Sequence, residues 1–238
     1  MNKWLVLAVL ALLALPAQAA DSPALYRLQR PTPDGTGKVY MGREIAHVMG
    51  WQAASWLERP EREEEERVSE MIAELRLQPG MVVADIGAGS GYTTRRIAPI
   101  LGAQGRVLAV DIQPQMLELI RKIPRRAGDA PIETVLSTAT DARLVPDSID
   151  LAFMVDVYHE LEYPHEMLAS LVRALKPNGQ LVFVEYRAED AQVPIKGLHK
   201  MSEKQVRLEA EQEGLSWQRT SRRLPWQHMV FFRKATPP

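Results

Sequence analysis

The residues with the clearest chemical purpose lie between positions 82 and 92, which read VVADIGAGSGY. An apolar run stops at Asp85, and Gly87, Gly89 and Gly91 then alternate with small residues. Because glycine has no Cβ, such a loop can turn sharply and bring its backbone close to a ligand. The open N–H groups of a helix that starts here can receive a polar or anionic group. The pattern therefore indicates a nucleotide-type ligand site between a strand and a helix.

A second acid follows at the distance expected of an adenosine site. Residues 106–111 read RVLAVD, an apolar run that ends at Asp111, about twenty residues beyond the glycines. An acid at the end of a second strand can accept hydrogen bonds from both ribose hydroxyls. The glycine spacing is G-x-G-x-G, and Tyr92 stands where the dinucleotide fingerprint has its last glycine. The alternative is an ordinary turn with an incidental acid that caps a helix.

The string ADIGAGSGY, together with Asp111, resembles the cofactor-binding motifs of class I S-adenosylmethionine-dependent methyltransferases. The resemblance covers residues 60–238. It implies an α/β fold with a single doubly wound, mostly parallel seven-stranded sheet, in the Rossmann-like arrangement of this family. Helices on both faces and an antiparallel edge strand complete that fold. The resemblance also implies S-adenosyl-L-methionine as the cofactor.

By the same resemblance, the cofactor is held at the ends of the strands. The glycines would approach its amino-acid part, and Asp85 would support the loop by holding its N–H groups. Asp111 would bind the ribose, with Ile112 beside the adenine. Asp141 would accept a hydrogen bond from the adenine amine, and a plain helix N-cap is the alternative for this residue. The predicted cofactor-binding residues are Asp85, Gly87, Ala88, Gly89, Gly91, Asp111, Ile112, Asp141, Ala142 and Val155.

Ionisable residues cluster after a later apolar run, where positions 156–160 read DVYHE. His159 titrates near neutrality and is a candidate general base, and Asp156 and Glu160 complete the predicted catalytic set. The same residues could instead form structural hydrogen bonds or ligate a metal. A zinc site needs a further histidine or an H-E-x-x-H spacing, and His165 is the only other imidazole nearby in the sequence. No metal site is therefore predicted, and Glu185 is a weaker candidate for the acceptor site.

The predicted function is methyl transfer to an unidentified small-molecule, lipid or cell-envelope substrate. Methyltransferases need positioning and proton removal rather than a fixed catalytic triad, so the acceptor stays open. A protein-carboxyl methyltransferase is a variant, because the string GSGY recurs in the isoaspartyl family. A protein that binds the cofactor without catalysis is an alternative from another class. A nicotinamide-dependent oxidoreductase is disfavoured because position 92 is tyrosine rather than glycine.

Alternating strands and helices after residue 60 should position these residues. Such alternation predicts a parallel sheet with helices on both faces. The run at 149–157 is the most apolar and is expected at the centre of the sheet. A helix is predicted over residues 60–76. It carries part of the charge run 58–67, which favours a solvated face over a metal or binding site.

Two segments precede the domain, which is predicted to span residues 60–238. Residues 1–19 combine a basic start, twelve consecutive apolar residues and a small-x-small cleavage site, as in secretory signal peptides. The apolar run is too short to span a bilayer comfortably, so cleavage after Ala19 or Ala20 and export to the periplasm without a stable membrane span are predicted. An uncleaved anchor is the alternative. Residues 20–59 are expected to be irregular or helical. Trp51 and Trp56 belong to a short helix or loop that lies over the ligand mouth or packs at the core edge.

The amino-acid composition limits the classes of partner and of site that are expected. The 238 residues are 46% hydrophobic, which suffices for the core of one domain. A net charge of −1 gives no polyanion-binding character, so nucleic acid is not an expected partner. These residues include no cysteine, which excludes disulfides, thiolate metal sites, a cysteine nucleophile and a lipoprotein anchor. The expected partner is a small-molecule or lipid substrate, and the sequence carries no indication of oligomeric state.

Overall fold

The computed structural model describes residues 25–235 of the 238-residue chain. The predicted signal peptide, residues 1–19, lies outside the described residues, and so does its cleavage site. Within residues 25–235, no helix combines the length and the apolar character needed to cross a membrane.

The described chain begins with a small antiparallel sheet, where irregular or helical structure is predicted. Its strands pair in chain order and are β1 (Tyr26–Leu28), β2 (Gly35–Tyr40) and β3 (Arg43–Ala46). The β2–β3 hairpin turns through Met41 and Gly42, whose φ values of 45° and 97° are both positive, as the favoured two-residue hairpin loop requires. Pro31 and Pro33 lie in the β1–β2 connection, where no ladder N–H is needed. Proline and glycine here therefore mark turns between strands.

A second sheet has seven strands. They are β4 (Val82–Ile86), β5 (Arg106–Asp111), β6 (Ile132–Leu136), β7 (Ile149–Val155), β8 (Leu175–Tyr186), β9 (Leu215–Ser221) and β10 (Gln227–Lys234). Their order across the sheet is β6-β5-β4-β7-β8-β10-β9. The first five run parallel, and β10 runs antiparallel to both β8 and β9. The predicted fold is confirmed, with β7 at the centre and antiparallel pairing at one edge.

Helices cover both faces of this sheet. They are α1 (Arg62–Glu66), α2 (Val68–Glu74), α3 (Thr94–Leu101), α4 (Pro114–Arg121), α5 (Pro164–Ala174) and α6 (Glu203–Gln212), with 3-10 helices at Trp51–Glu58, Tyr158–Glu160 and Gly197–His199. Successive side chains of a strand point to opposite faces. Leu151 and Phe153 of β7 therefore pack in the core with α2 and α3, and Ala152 and Met154 pack with α5 and α6.

The single helix predicted over residues 60–76 is broken into α1 and α2 at Arg67, whose φ is 48°. The predicted solvated face is wrong for Arg62 and Glu66, which are only 5% and 2% exposed. Arg62 Nε donates to Glu66 Oε2 at 2.6 Å, and the Tyr186 hydroxyl donates to Glu66 Oε1 at 3.0 Å. Opposite charges at i,i+4 can satisfy each other in water or inside a protein. The i,i+4 spacing of Arg62 and Glu66 therefore does not predict whether the pair is exposed or buried.

Candidate functional site

A cavity of about 550 Å³ opens at the carboxyl ends of β4, β5 and β7. This is the switch point of the sheet, because the chain passes from β4 to β5 on one side and later to β7 on the other. Ligands of open α/β sheets bind at such points, and the volume lies within the roughly 300–1,000 Å³ of small-molecule sites. The wall comes from the strand ends, from the segment after β3 and from the loop before α6.

Gly87 and Gly89 form the wall at the end of β4. Their φ values are +70° and +54°, a conformation that strains residues with a side chain. A Cβ on Gly87 would lie 2.5 Å from Val157 Cγ2, and one on Gly89 would lie 2.6 Å from Leu57 Cδ1. A Cβ on Gly87 would push against the branched Val157 side chain, whereas the Leu57 methyl near Gly89 ends a flexible side chain, so glycine is favoured at both positions and most strongly at Gly87. The loop backbone at both positions lines the cavity.

Ala88 and Gly91, two further predicted cofactor contacts, do not line the cavity. The Ala88 N–H donates to the Val110 carbonyl at 3.0 Å. A Cβ on Gly91 would lie 2.9 Å from Ile120 Cγ1 and 2.8 Å from Ile123 Cδ1. Gly91 therefore lets the loop pack closely on α4, and Ala88 ties the loop to β5.

Asp111 lies in the cavity wall at the end of β5. Its Oδ2 accepts the Gly89 N–H at 2.9 Å, and its Oδ1 accepts the Gln113 N–H at 2.8 Å. Each carboxylate oxygen has a further lone pair, so the side chain can still accept ribose hydroxyls. Burial raises the pKa of this carboxyl above its ordinary value. Ile112 and Val155 also line the cavity, as the resemblance implies.

Asp85 does not hold the N–H groups of the glycine loop, so that prediction is wrong. Its Oδ2 accepts the Thr94 hydroxyl at 2.7 Å, at the beginning of α3. The loop is held by the Val110 carbonyl, which accepts the Gly87 N–H at 2.8 Å, and by Asp111. Side chains in a strand point to its two faces, and Asp85 faces α3 rather than the loop. Burial raises the pKa of Asp85 to about 6.

Asp141 and Ala142 are not brought to the cavity. Asp141 Oδ1 accepts the Arg143 N–H at 2.7 Å, so the carboxylate caps a turn rather than a helix. Ala142 is fully buried, and its N–H donates to Ser170 Oγ at 3.0 Å. Residues 137–139 line the cavity in their place, directly after β6 ends.

The segment after β3 covers the mouth of the cavity, with Trp56 in the wall. The Gln113 side chain fastens it: Oε1 accepts the Trp51 N–H at 2.8 Å, and Nε2 donates to the Met49 carbonyl at 3.0 Å. Glu58 adds an ion pair with α3. These contacts agree with the prediction that the tryptophans belong to a segment over the ligand mouth.

Asp156 lies in the cavity wall among other buried acids. Its Oδ2 accepts Gln227 Nε2 at 3.1 Å, and its Oδ1 has no hydrogen-bond partner among the described residues. Burial raises the pKa of Asp156 well above its ordinary value, and the charges of Glu66 and Glu185 raise it further. This favours the neutral acid, which has a donor O–H as well as acceptor capacity.

His159 is held between two partners and is only 2% exposed. Its Nδ1 lies 2.7 Å from Glu185 Oε2, and its Nε2 lies 3.1 Å from Nδ1 of His199. Glu185 is fully buried, and its other oxygen accepts the Tyr158 N–H at 2.8 Å. The structural hydrogen bonding considered for His159 is therefore present, and its base role stays a prediction.

His159, Glu160 and His199 form what we call the histidine cluster, and all three line the cavity. Glu160 Oε1 lies 3.8 Å from His159 Nε2 and 3.5 Å from His199 Nδ1. Sequence reasoning missed His199 because it follows in a separate short helix, with no spacing that links it to His159. His165, the imidazole considered instead, pairs with Glu213 and does not line the cavity.

Comparison with known proteins identifies the domain that carries this cavity. The family described as "Methyltransferase domain" matches residues 84–183. This is a class I S-adenosylmethionine-dependent methyltransferase domain. The match begins inside β4, spans the glycine loop and ends inside β8.

Two curated methyltransferases resemble the domain in sequence. The ubiquinone/menaquinone biosynthesis C-methyltransferase UbiE of Shewanella piezotolerans (strain WP3 / JCM 13877) is 29% identical over 110 residues, which are 46% of this chain and 44% of that protein. The demethylmenaquinone methyltransferase of Clavibacter sepedonicus is 33% identical over 107 residues, which are 45% of this chain and 42% of that protein. The chain thus spans less than half the length of these relatives.

A solved structure shows the same fold. A SAM-dependent methyltransferase from Aquifex aeolicus superposes with a TM-score of 0.72 at 24% identity, and covers 79% of this chain and 100% of its own.

S-adenosylmethionine is the cofactor of this methyltransferase domain, and the residues at the cavity fit it. The loop backbone at Gly87 and Gly89 lines the cavity without a side chain in the way, which suits the amino-acid part. The Asp111 carboxylate suits the ribose hydroxyls, and the apolar Ile112 and Met116 suit the adenine. When bound, the cofactor supplies a methyl group on a positively charged sulfur.

Proposed function

We propose that the protein transfers the methyl group of S-adenosylmethionine to a small apolar acceptor or a lipid. One observation carries this proposal: a single cavity contains both Asp111 with the glycine loop and the histidine cluster. A cofactor at the loop would share this cavity with an acceptor that faces His159. The wall includes the apolar side chains of Leu161 and Met167, which favours an acceptor with apolar surface.

Quinone precursors are the first acceptors to test. The curated relatives are named for ubiquinone and menaquinone biosynthesis, and each shares less than half of its length with this chain. A hydroxylated aromatic ring also suits the cavity. Its faces would contact the apolar wall, and its hydroxyl group would meet the histidine cluster.

The protein's own contribution is to align the acceptor and to promote the loss of its proton. Glu185 fixes the orientation of His159 through Nδ1. The predicted catalytic residues His159, Asp156 and Glu160 all line the cavity.

Calorimetric titration with S-adenosylmethionine, with its demethylated product and with NAD⁺ tests the cofactor. A methylation assay on quinone precursors and on cell-envelope extract then tests the reaction. We expect binding of the first two ligands and methyl transfer to at least one acceptor. Binding without transfer would favour the alternative of a cofactor-binding protein without catalysis, and no binding would overturn the proposal.

A further inference from the structure

The histidine cluster brings two imidazoles and a carboxylate to one point from separate segments. His159 and Glu160 belong to the 3-10 helix after β7, whereas His199 ends the 3-10 helix before α6. The three donor atoms are Nε2 of His159, Nδ1 of His199 and Oε1 of Glu160. All pairs of these atoms lie within 4.8 Å of each other. Two imidazoles with one carboxylate are a donor set for divalent transition-metal ions.

The separations of these atoms suit one shared ion. They are 3.1 Å between the two nitrogens, and 3.8 Å and 3.5 Å from the carboxylate oxygen to each nitrogen. Three atoms so arranged have a common centre about 2.0 Å from each, which is the usual length of zinc–nitrogen and zinc–carboxylate bonds. An ion could therefore bind with little movement of the side chains.

Outer contacts hold the ligand side chains in this orientation. Glu185 Oε2 lies 2.7 Å from His159 Nδ1. The resulting tautomer carries its proton on Nδ1 and leaves the Nε2 lone pair for an ion, as in carboxylate–histidine–zinc triads. Glu160 Oε2 accepts the Met49 N–H at 3.3 Å, which turns Oε1 toward the imidazoles. The His199 N–H donates to the Lys196 carbonyl at 3.0 Å, which closes its helical turn.

The charge balance also favours a cation. Glu185 is fully buried, and the basic side chain within 4.0 Å of its carboxylate among the described residues is the imidazole of His159. Glu160 adds a second carboxylate on the other side of the His159 ring, with Oε1 3.8 Å from Nε2. Buried charges are costly unless they are paired or coordinate a metal. A divalent cation between the imidazoles would offset both carboxylates.

We propose that His159, Glu160 and His199 bind a divalent transition-metal ion in the wall of the cavity. Three protein ligands leave further positions for water or for an oxygen of the acceptor. A hydroxyl group that is coordinated there becomes more acidic, which would promote the proton loss that methyl transfer requires. This use of the ion rests on the proposed function, whereas the binding of the ion does not.

The experiment titrates the untagged, metal-free protein with Zn²⁺ by calorimetry and with Co²⁺ by visible absorption, without S-adenosylmethionine. We expect one equivalent of each ion to bind, with the absorption bands of nitrogen- and oxygen-coordinated Co²⁺. His199→Asn should weaken Zn²⁺ binding at least about tenfold, and Glu185→Gln, which removes only the orienting carboxylate, by about 10–100-fold. His165→Asn is the matched control and should bind like the wild type.

Two results would overturn the metal site: no saturable binding by the wild-type protein, or equal affinities in the wild type, His199→Asn and His159→Asn. Circular dichroism and the melting temperature of each variant show whether it is folded. Titration of the same samples with S-adenosylmethionine tests the proposed function separately. Binding of the cofactor without binding of Zn²⁺ would contradict the metal site alone. Binding of Zn²⁺ without binding of the cofactor would contradict the proposed function alone.

Discussion

At the scale of single residues, Asp111 connects the loop to the predicted ribose site. We expect Asp111→Ala to lower the affinity for S-adenosylmethionine at least about tenfold, because hydrogen bonds to a charged group contribute roughly 1.5–3 kcal/mol each. Calorimetric titration measures this affinity. Asp141→Ala is the matched control, since Asp141 caps a turn outside the cavity, and it should bind like the wild type. Equal affinities in Asp111→Ala and the wild type would contradict the ribose assignment.

Asp85 predicts a pH dependence of stability. Burial raises its pKa from 3.8 to about 6, so the unfolded state releases this proton at lower pH than the folded state. This contribution to stability is present in full below about pH 4 and is lost as pH rises through 6, a change of roughly 3 kcal/mol in the free energy of unfolding.

Asp85→Asn should remove this dependence while its side-chain oxygen still accepts the Thr94 hydroxyl. Relative to the wild type, the variant should gain stability progressively between about pH 4 and pH 6. Urea unfolding at several pH values measures the difference. If the two proteins differed by a constant amount across this range, Asp85 would not have the raised pKa.

At the scale of elements, the N-terminal sheet is fastened to the main domain by a buried ion pair. Arg43 of β3 donates to both oxygens of Glu209 on α6, at 2.6 Å and 3.0 Å, and its Nη1 donates to the His159 carbonyl at 3.2 Å. The side chains of Arg43 and Glu209 are 12% and 0% exposed. The small sheet therefore supports the backbone of the histidine cluster.

Arg43→Met should lower the free energy of unfolding by about 3–5 kcal/mol, because it leaves the buried Glu209 carboxylate with the neutral donors Tyr158 and Gln205 but without its cationic partner. Denaturant unfolding measures this change. Arg207→Ala removes an exposed pair with Glu211 on the same helix and should change stability by at most about 1 kcal/mol. Similar losses in both variants would show that the buried pair has no special role.

At the scale of the whole molecule, the predicted export concerns residues outside the described range. We propose that the segment 1–19 directs export and is removed after Ala19 or Ala20, because its pattern is that of a signal peptide. The intact mass of protein from the periplasmic fraction checks this. Leu10→Arg, which interrupts the apolar run, should leave the precursor uncut in the cytoplasm. A membrane-bound species that keeps residues 1–17 would show an anchor instead.

The sequence by itself determined the main sheet, the glycine loop and the place of Asp111 in the cavity wall. Five other predicted cofactor residues do not line the cavity: Asp85, Ala88, Gly91, Asp141 and Ala142. Gly87 and Gly89 have positive φ values that belong to the turn of the loop itself, so a local pattern predicts them. The apolar runs that end at Ile86 and Asp111 predict neighbouring parallel strands, and parallel strands place their carboxyl ends at one edge. These features were predictable because short-range sterics and the alternation of elements produce them.

Only the tertiary structure decided which side chains meet in the part of the cavity that holds the histidine cluster. His199 lies beside His159 because two short helices pack together at the cavity, and no local period links the two. Glu66 is buried by contacts with Tyr186, far along the chain, while Asp141 turns away to cap its own loop. Strand ends and loops acquire their neighbours from the packing of distant segments. Local sequence determines how the backbone turns, and long-range packing determines which charges and imidazoles then share a cavity.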